Sequence, residues 1–169
     1  MTINDLLSAA RQRLERVHPA DALDAVRHGA VLVDIRSEVQ READGVIAGA
    51  LFYPRNVLEW RIDPASGCSD PSLGGDLGER LIVFCNEGYQ SSLVAATLKD
   101  LGFTHATDLI GGFQAWCAAG LPVHRSTGRA AETAMGIPPP QPAVLSSQTT
   151  GISERGSSMS RPISASVER

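Results

Sequence analysis

The chain is poor in lysine, cysteine and long apolar runs. It has one Lys, Lys99, against 14 Arg, a skew attributable to codon composition rather than chemistry. Its three cysteines, Cys68, Cys85 and Cys117, form no CxxC pair and are odd in number. That argues against a disulfide framework and for free thiols in a reducing compartment. No stretch approaches the roughly 18 consecutive apolar residues of a membrane span. Arg11, Arg13 and Arg16 stand near the start, but no apolar segment follows them as in a secretion signal. A soluble, cytoplasmic protein is expected. The net charge of −4 gives no electrostatic basis for binding nucleic acid or an anionic membrane. His, Cys, Asp and Glu show no metal-ligand spacing, and neither Gly74-Gly75 nor Gly111-Gly112 makes a phosphate-cradling fingerprint.

Aromatic residues are also missing from a whole region. All eight lie between Phe52 and Trp116, and the last 44 residues have none. Those residues, 126–169, hold nine Ser and five Pro without apolar periodicity, so a disordered Ser/Pro-rich tail is expected there. Residues 1–16 read as an N-terminal helix, because Ile3, Leu6, Leu7, Ala10, Leu14 and Val17 recur at three- and four-residue steps. Residues 17–125 remain as one domain, large enough for a single core.

Within that domain, Pro19 suits the first turn of a helix and Gly29 its end. Val31 to Ile35 is a β-branched run and reads as a buried strand. Ala50 to Tyr53 is a weaker strand, followed by a short helix near Asn56 to Arg61. Asp63 to Gly78 reads as a long loop. Leu81-Ile82-Val83-Phe84-Cys85 is apolar on both faces, as a central parallel strand should be. A helix from about Ser91 to Leu101, a strand at Ala106 to Ile110 and a short helix carrying Trp116 complete the chain. This alternation predicts an α/β fold, with a parallel sheet of about five strands and helices on both faces. A ligand site belongs at the carboxyl ends of such strands.

Cys85 stands at that edge, followed by Asn86-Glu87-Gly88-Tyr89-Gln90-Ser91-Ser92 and then a helix. The helix start offers backbone N–H groups without intrahelical partners, and Gly88 lets the loop curl so that they converge. Converging donors stabilise an anion and favour the thiolate, the nucleophilic form. A cysteine ending a buried strand is also a common core residue. The strand–Cys–loop–helix order favours the nucleophile.

Four segments in order resemble the rhodanese (sulfurtransferase) family over about Pro19 to Val123. They are Val33-Asp34-Ile35-Arg36, Gly45-Val46-Ile47-Ala48-Gly49-Ala50, the loop Cys85 to Ser91, and Asp108-Leu109-Ile110-Gly111-Gly112-Phe113 with Trp116 and Gly120-Leu121-Pro122. The resemblance implies a rhodanese-like sheet and a Cys85 persulfide. That persulfide takes sulfane sulfur from a small donor such as thiosulfate and passes it to cyanide, a small thiol or a protein acceptor. It makes Asn86, Glu87, Gly88, Tyr89, Gln90 and Ser91 the substrate-binding loop, with no cofactor or metal. Val46 and Ala48 replace the family's His and Pro in the second segment.

Gln90 stands where the family has Arg, and Glu87 adds an anion. An anionic donor therefore loses a charge-assisted contact. Arg36, Arg55 and Arg61 are the candidates to supply charge from neighbouring loops, although arginines are commonly solvated or paired. For Asp34 and Arg36 an internal ion pair is the favoured reading. Trp60 is expected to pack first and to wall the site second. Cys68 has the option of acting as a resolving thiol, and Cys117 is given no role.

A Cys-x5-Arg phosphatase is disfavoured, because Ser91 occupies the Arg position and Phe84 precedes the cysteine. No His is placed to make a Cys–His hydrolase. The alternative from another class is a non-catalytic rhodanese-like module that binds a protein.

Overall fold

The computed structural model describes residues 1–71, 73 and 76–126. The expected tail, apart from Ser126, lies outside the described residues. The strands are β1 (Val31–Asp34), β2 (Leu51–Phe52), β3 (Leu81–Phe84) and β4 (Thr107–Asp108). They form a parallel sheet in the order β2-β1-β3-β4. The helices are α1 (Ile3–Gln12), α2 (Pro19–Arg27), α3 (Glu38–Asp44), α4 (Leu58–Ile62), α5 (Gln90–Asp100) and α6 (Gly112–Ala118).

Among the described residues the sheet has four strands, where about five were expected. The residue that would begin a fifth is Val17. It makes one parallel bridge to Leu109, accepting from Ile110 N–H at 2.8 Å and donating to Asp108 at 3.1 Å. Pro19 opens α2 two residues later and turns the chain away before a strand can extend.

Alternation along β3 divides the core into two layers. Leu81, Val83 and Cys85 face α4 and α5, packing with Leu58, Ile62, Val94 and Leu98. Ile82 and Phe84 face α2 and α6, packing with Ala22, Ala25, Phe113 and Trp116. Helices thus cover both faces, and Cys85 continues the alternation toward the start of α5.

α1 begins one residue after Thr2, which closes a capping box with Asp5. It ends at Gln12, short of the expected helical stripe, and packs on α5. α3 was not anticipated, although Ser37 and Gln40 have the spacing of a capping box and form one. Trp60, expected to pack, is half exposed at 52%. The following 3-10 turn, Pro64–Ser66, ties its own hydroxyl Ser66 to the Trp60 carbonyl at 2.6 Å.

Candidate active site

The chain leaves β1 for β2 on one side and returns to β3 on the other. The carboxyl ends of β1 and β3 therefore flank a crevice where the connections diverge, the favoured ligand position in an open α/β sheet. A cavity of about 620 Å³ lies there. Ile35, Arg36, Ser37 and Gln40 line it from the β1 side, and Pro54, Arg55 and Asn56 from the segment after β2. Cys85, Asn86, Glu87, Tyr89 and Gln90 complete the wall.

Cys85 is 7% exposed, and its sulfur receives the Gly88 N–H at 3.2 Å. The Ser91 hydroxyl is 3.4 Å from the same sulfur. Around the loop, the carbonyls are drawn outward. Phe113 N–H donates to Cys85 O at 2.9 Å and Gln114 N–H to Asn86 O at 3.0 Å, both from the first turn of α6. Arg11 Nη2 donates to Gly88 O at 3.0 Å. In a planar trans peptide the N–H points opposite its C=O. The amides of Asn86 and Glu87 are thus turned away from α6, and that of Tyr89 away from α1.

Two glycines make this fit. Gly88 has φ +77°, and a Cβ there would meet Gly111 N at 2.8 Å. Gly112 has φ +61°, and a Cβ there would run into Cys85 O, Gly88 N and Asn86 O. Only glycine combines the left-handed backbone with this approach of α6 to the loop.

Of the three candidate arginines, the structure brings two to the cavity. Arg55 lies on its wall, with its side chain 40% exposed and paired to Glu59 at 2.6 Å. Arg36 also borders it, but its side chain is fully buried. Its Nε and Nη2 donate to Asp34 at 3.0 and 2.8 Å, Nη2 also to Gly45 O at 2.8 Å, and its guanidinium sits 3.6 Å over the Phe113 ring. Arg41 adds a second cation to Asp34 at 2.8 Å. Arg36 therefore braces the end of β1. Arg61 is outside the cavity lining, bound to Asp70 at 3.3 Å and Cys68 O at 3.1 Å.

Cys68 is likewise not among the lining residues. Cys117 is exposed on α6, and partial burial of its thiol pushes it above its ordinary value, leaving a weak nucleophile. Ser37, Gln40, Pro54 and Asn56 were not singled out as site residues. The capping-box spacing of Ser37 and Gln40 was the one available signal for the first two.

A family model for the rhodanese-like domain matches residues 18–119. The chain belongs to the rhodanese-like domain family. Curated relatives include thiosulfate sulfurtransferase GlpE of Haemophilus influenzae. It is 31% identical over 109 residues, covering 64% of this chain and 93% of the relative. GlpE of Pseudomonas fluorescens is 34% identical over 124 residues, covering 73% and 95%. Among solved structures, a Rhodopseudomonas palustris protein of unknown function, described as a possible tyrosine phosphatase, is 34% identical. It superposes with a TM-score of 0.68, covering 73% of this chain and 95% of that one. The rhodanese-like span begins after α1, so the Arg11 contact to Gly88 reaches the loop from outside the matched region.

Proposed function

We propose that this protein is a rhodanese-type sulfurtransferase carrying sulfur on Cys85. The observation that carries the reading is the Cys85 sulfur at the end of β3, beside a 620 Å³ cavity and held by the Gly88 amide. Relatives named thiosulfate sulfurtransferase, at 31–36% identity, support the reaction class and thiosulfate as donor.

In the first half-reaction the Cys85 thiolate attacks the outer sulfur of thiosulfate. A sulfur–sulfur bond forms to Cys85 as the donor's own sulfur–sulfur bond breaks, and sulfite leaves with that electron pair. In the second, cyanide or an acceptor thiolate attacks the terminal persulfide sulfur. The electron pair returns to Cys85, and thiocyanate or a new persulfide departs. Covalent relay splits one transfer into two easier steps. The persulfide is anionic, and the Gly88 amide supports its charge.

The cavity is not strongly cationic. Arg55 is paired, Arg36 is enclosed with Asp34, and Glu87 is exposed at the rim. Such a site suits a persulfide or an uncharged polysulfane better than a dianion, so thiosulfate is expected to turn over slowly. The same poverty of cations, with Ser91 at the sixth position after Cys85, argues against phosphate monoesters.

The test is steady-state assay with thiosulfate and cyanide, reading thiocyanate and sulfite together. Equal release of both, lost in Cys85→Ser, is expected. Absence of thiocyanate with every sulfane donor tried would leave the protein-binding module as the better account.

A further inference from the structure

The active-site loop carries an acid, Glu87, and no basic side chain from Asn86 to Ser92. A positive charge nevertheless lies directly behind it. Arg11, on α1, donates from Nη2 to Gly88 O at 3.0 Å and from Nε to Ser92 Oγ at 3.2 Å, and its guanidinium lies 5.6 Å from the centre of the Tyr89 ring. Behind Arg11 the network continues. Ser92 Oγ is 2.6 Å from Asp108, which is wholly buried and held bidentate by Arg16 at 2.8 and 3.0 Å. Ser92 Oγ also lies 3.1 Å from Gly88 O, but it has one proton and the nearer, charged Asp108 carboxylate takes it, so Arg11 is the donor that Gly88 O depends on. Two cations and one anion leave a surplus of one positive charge at the back of the loop.

We propose that Arg11 is a positioning residue of the Cys85 site. It anchors the Gly88 carbonyl and supplies from behind the positive charge that the loop itself lacks. Two effects follow from the one contact. Pulling the Gly88 carbonyl toward α1 fixes the Gly88–Tyr89 peptide with the Tyr89 N–H turned the other way. A cation on that carbonyl also polarises the peptide, which strengthens its N–H as a donor. α1, which lies outside the matched family span and could pass for a simple packing helix, thereby becomes part of the site.

This inference rests on Cys85 being the reactive thiol, but its test does not need sulfur transfer. Alkylation of Cys85 by iodoacetamide is followed against pH by peptide mapping in the full chain, for wild type, Arg11→Gln and Arg11→Lys. Arg11→Gln keeps donor groups and removes the charge. Its alkylation profile is expected to move to higher pH, because the anionic sulfur loses support. Arg11→Lys keeps the charge and is expected to stay close to wild type. With thiosulfate, Arg11→Gln is expected to lose about tenfold in kcat/KM, the scale of one charge-assisted hydrogen bond. Melting curves establish that both variants fold. An unmoved profile in Arg11→Gln, or an equal displacement in Arg11→Lys, overturns the proposal. If wild type transfers no sulfur yet the profiles separate as expected, the fault lies with the proposed reaction and not with Arg11.

Discussion

The N–H of Phe113 donates to the carbonyl of Cys85 at 2.9 Å, so the first turn of one helix fixes the strand end that carries the thiol. Gln114 repeats the contact on Asn86 at 3.0 Å, and its side chain adds an Asn86 bond at 3.2 Å. Unpartnered helix N–H groups are commonly filled by a cap or a ligand. Here the loop's own carbonyls fill them, which turns the N–H edges of the same peptides away from α6.

This docking depends on Gly112. An alanine there would take a left-handed backbone at a cost of roughly 1–2 kcal/mol and push its Cβ into the loop. Gly112→Ala is expected to lower the melting temperature by about 5–10 °C and to reduce sulfur uptake more than tenfold. Thermal melts and single-turnover rates measured on the same preparation check it. A near-wild-type rate would mean that the α6 contact does not set the loop.

Gln90 faces the cavity and is exposed. Gln90→Arg adds a cation to a wall whose two arginines, Arg36 and Arg55, are each paired with a carboxylate. Turnover with thiosulfate should rise more than turnover with an uncharged polysulfane donor, because the guanidinium makes a charge-assisted contact only with the anion. An equal gain for both donors would contradict the charge argument.

Asp34 is wholly buried between Arg36 and Arg41. Asp34→Asn would leave two enclosed guanidinium groups with one carboxylate charge fewer. A loss of about 3–5 kcal/mol in unfolding free energy is expected, measured by denaturant titration. A loss of donor affinity without a loss of stability would instead restore Arg36 as a substrate contact.

Tyr53 donates to Asp70 at 2.6 Å in the core. Burial, with Asp70 beside it, raises its phenol well above the ordinary value of 10.0. The native state therefore holds this proton above pH 10, where the unfolded chain releases it. Stability falls as pH rises past that value. Absorbance at 295 nm should show one of the two tyrosines ionising only as the protein unfolds, and Tyr53→Phe should remove that phase.

Much of this was legible before the fold was known, for reasons that lie in particular residues. Leu81 to Phe84 announces a central strand because both faces are apolar, and Cys85 follows from its end. Gly88 and Gly111-Gly112 mark where the chain must turn tightly. The sequence does not reveal that the two glycine sites touch, since that contact is made across 22 residues of intervening helix and strand. Arg36 is legible as an arginine near the site, but its enclosure depends on Arg41 and Phe113 arriving from elsewhere in the chain. The expected fifth strand had no segment of its own behind it, and Val17, read into the N-terminal helical stripe, adds a single bridge to Leu109. Arg11 read only as one of three arginines near the start of the chain. Its reach to Gly88 comes from the packing of α1 on α5, which no local signal encodes.

The most direct measurement is intact mass of the protein after incubation with thiosulfate, with the modified residue located by peptide mapping. Wild type should gain the mass of one sulfur atom on Cys85, cyanide should remove it, and Cys85→Ser should remain unmodified with an unchanged melting curve. Sulfur found on Cys68 or Cys117 instead, or a Cys85→Ser protein that still takes it up, would contradict the account.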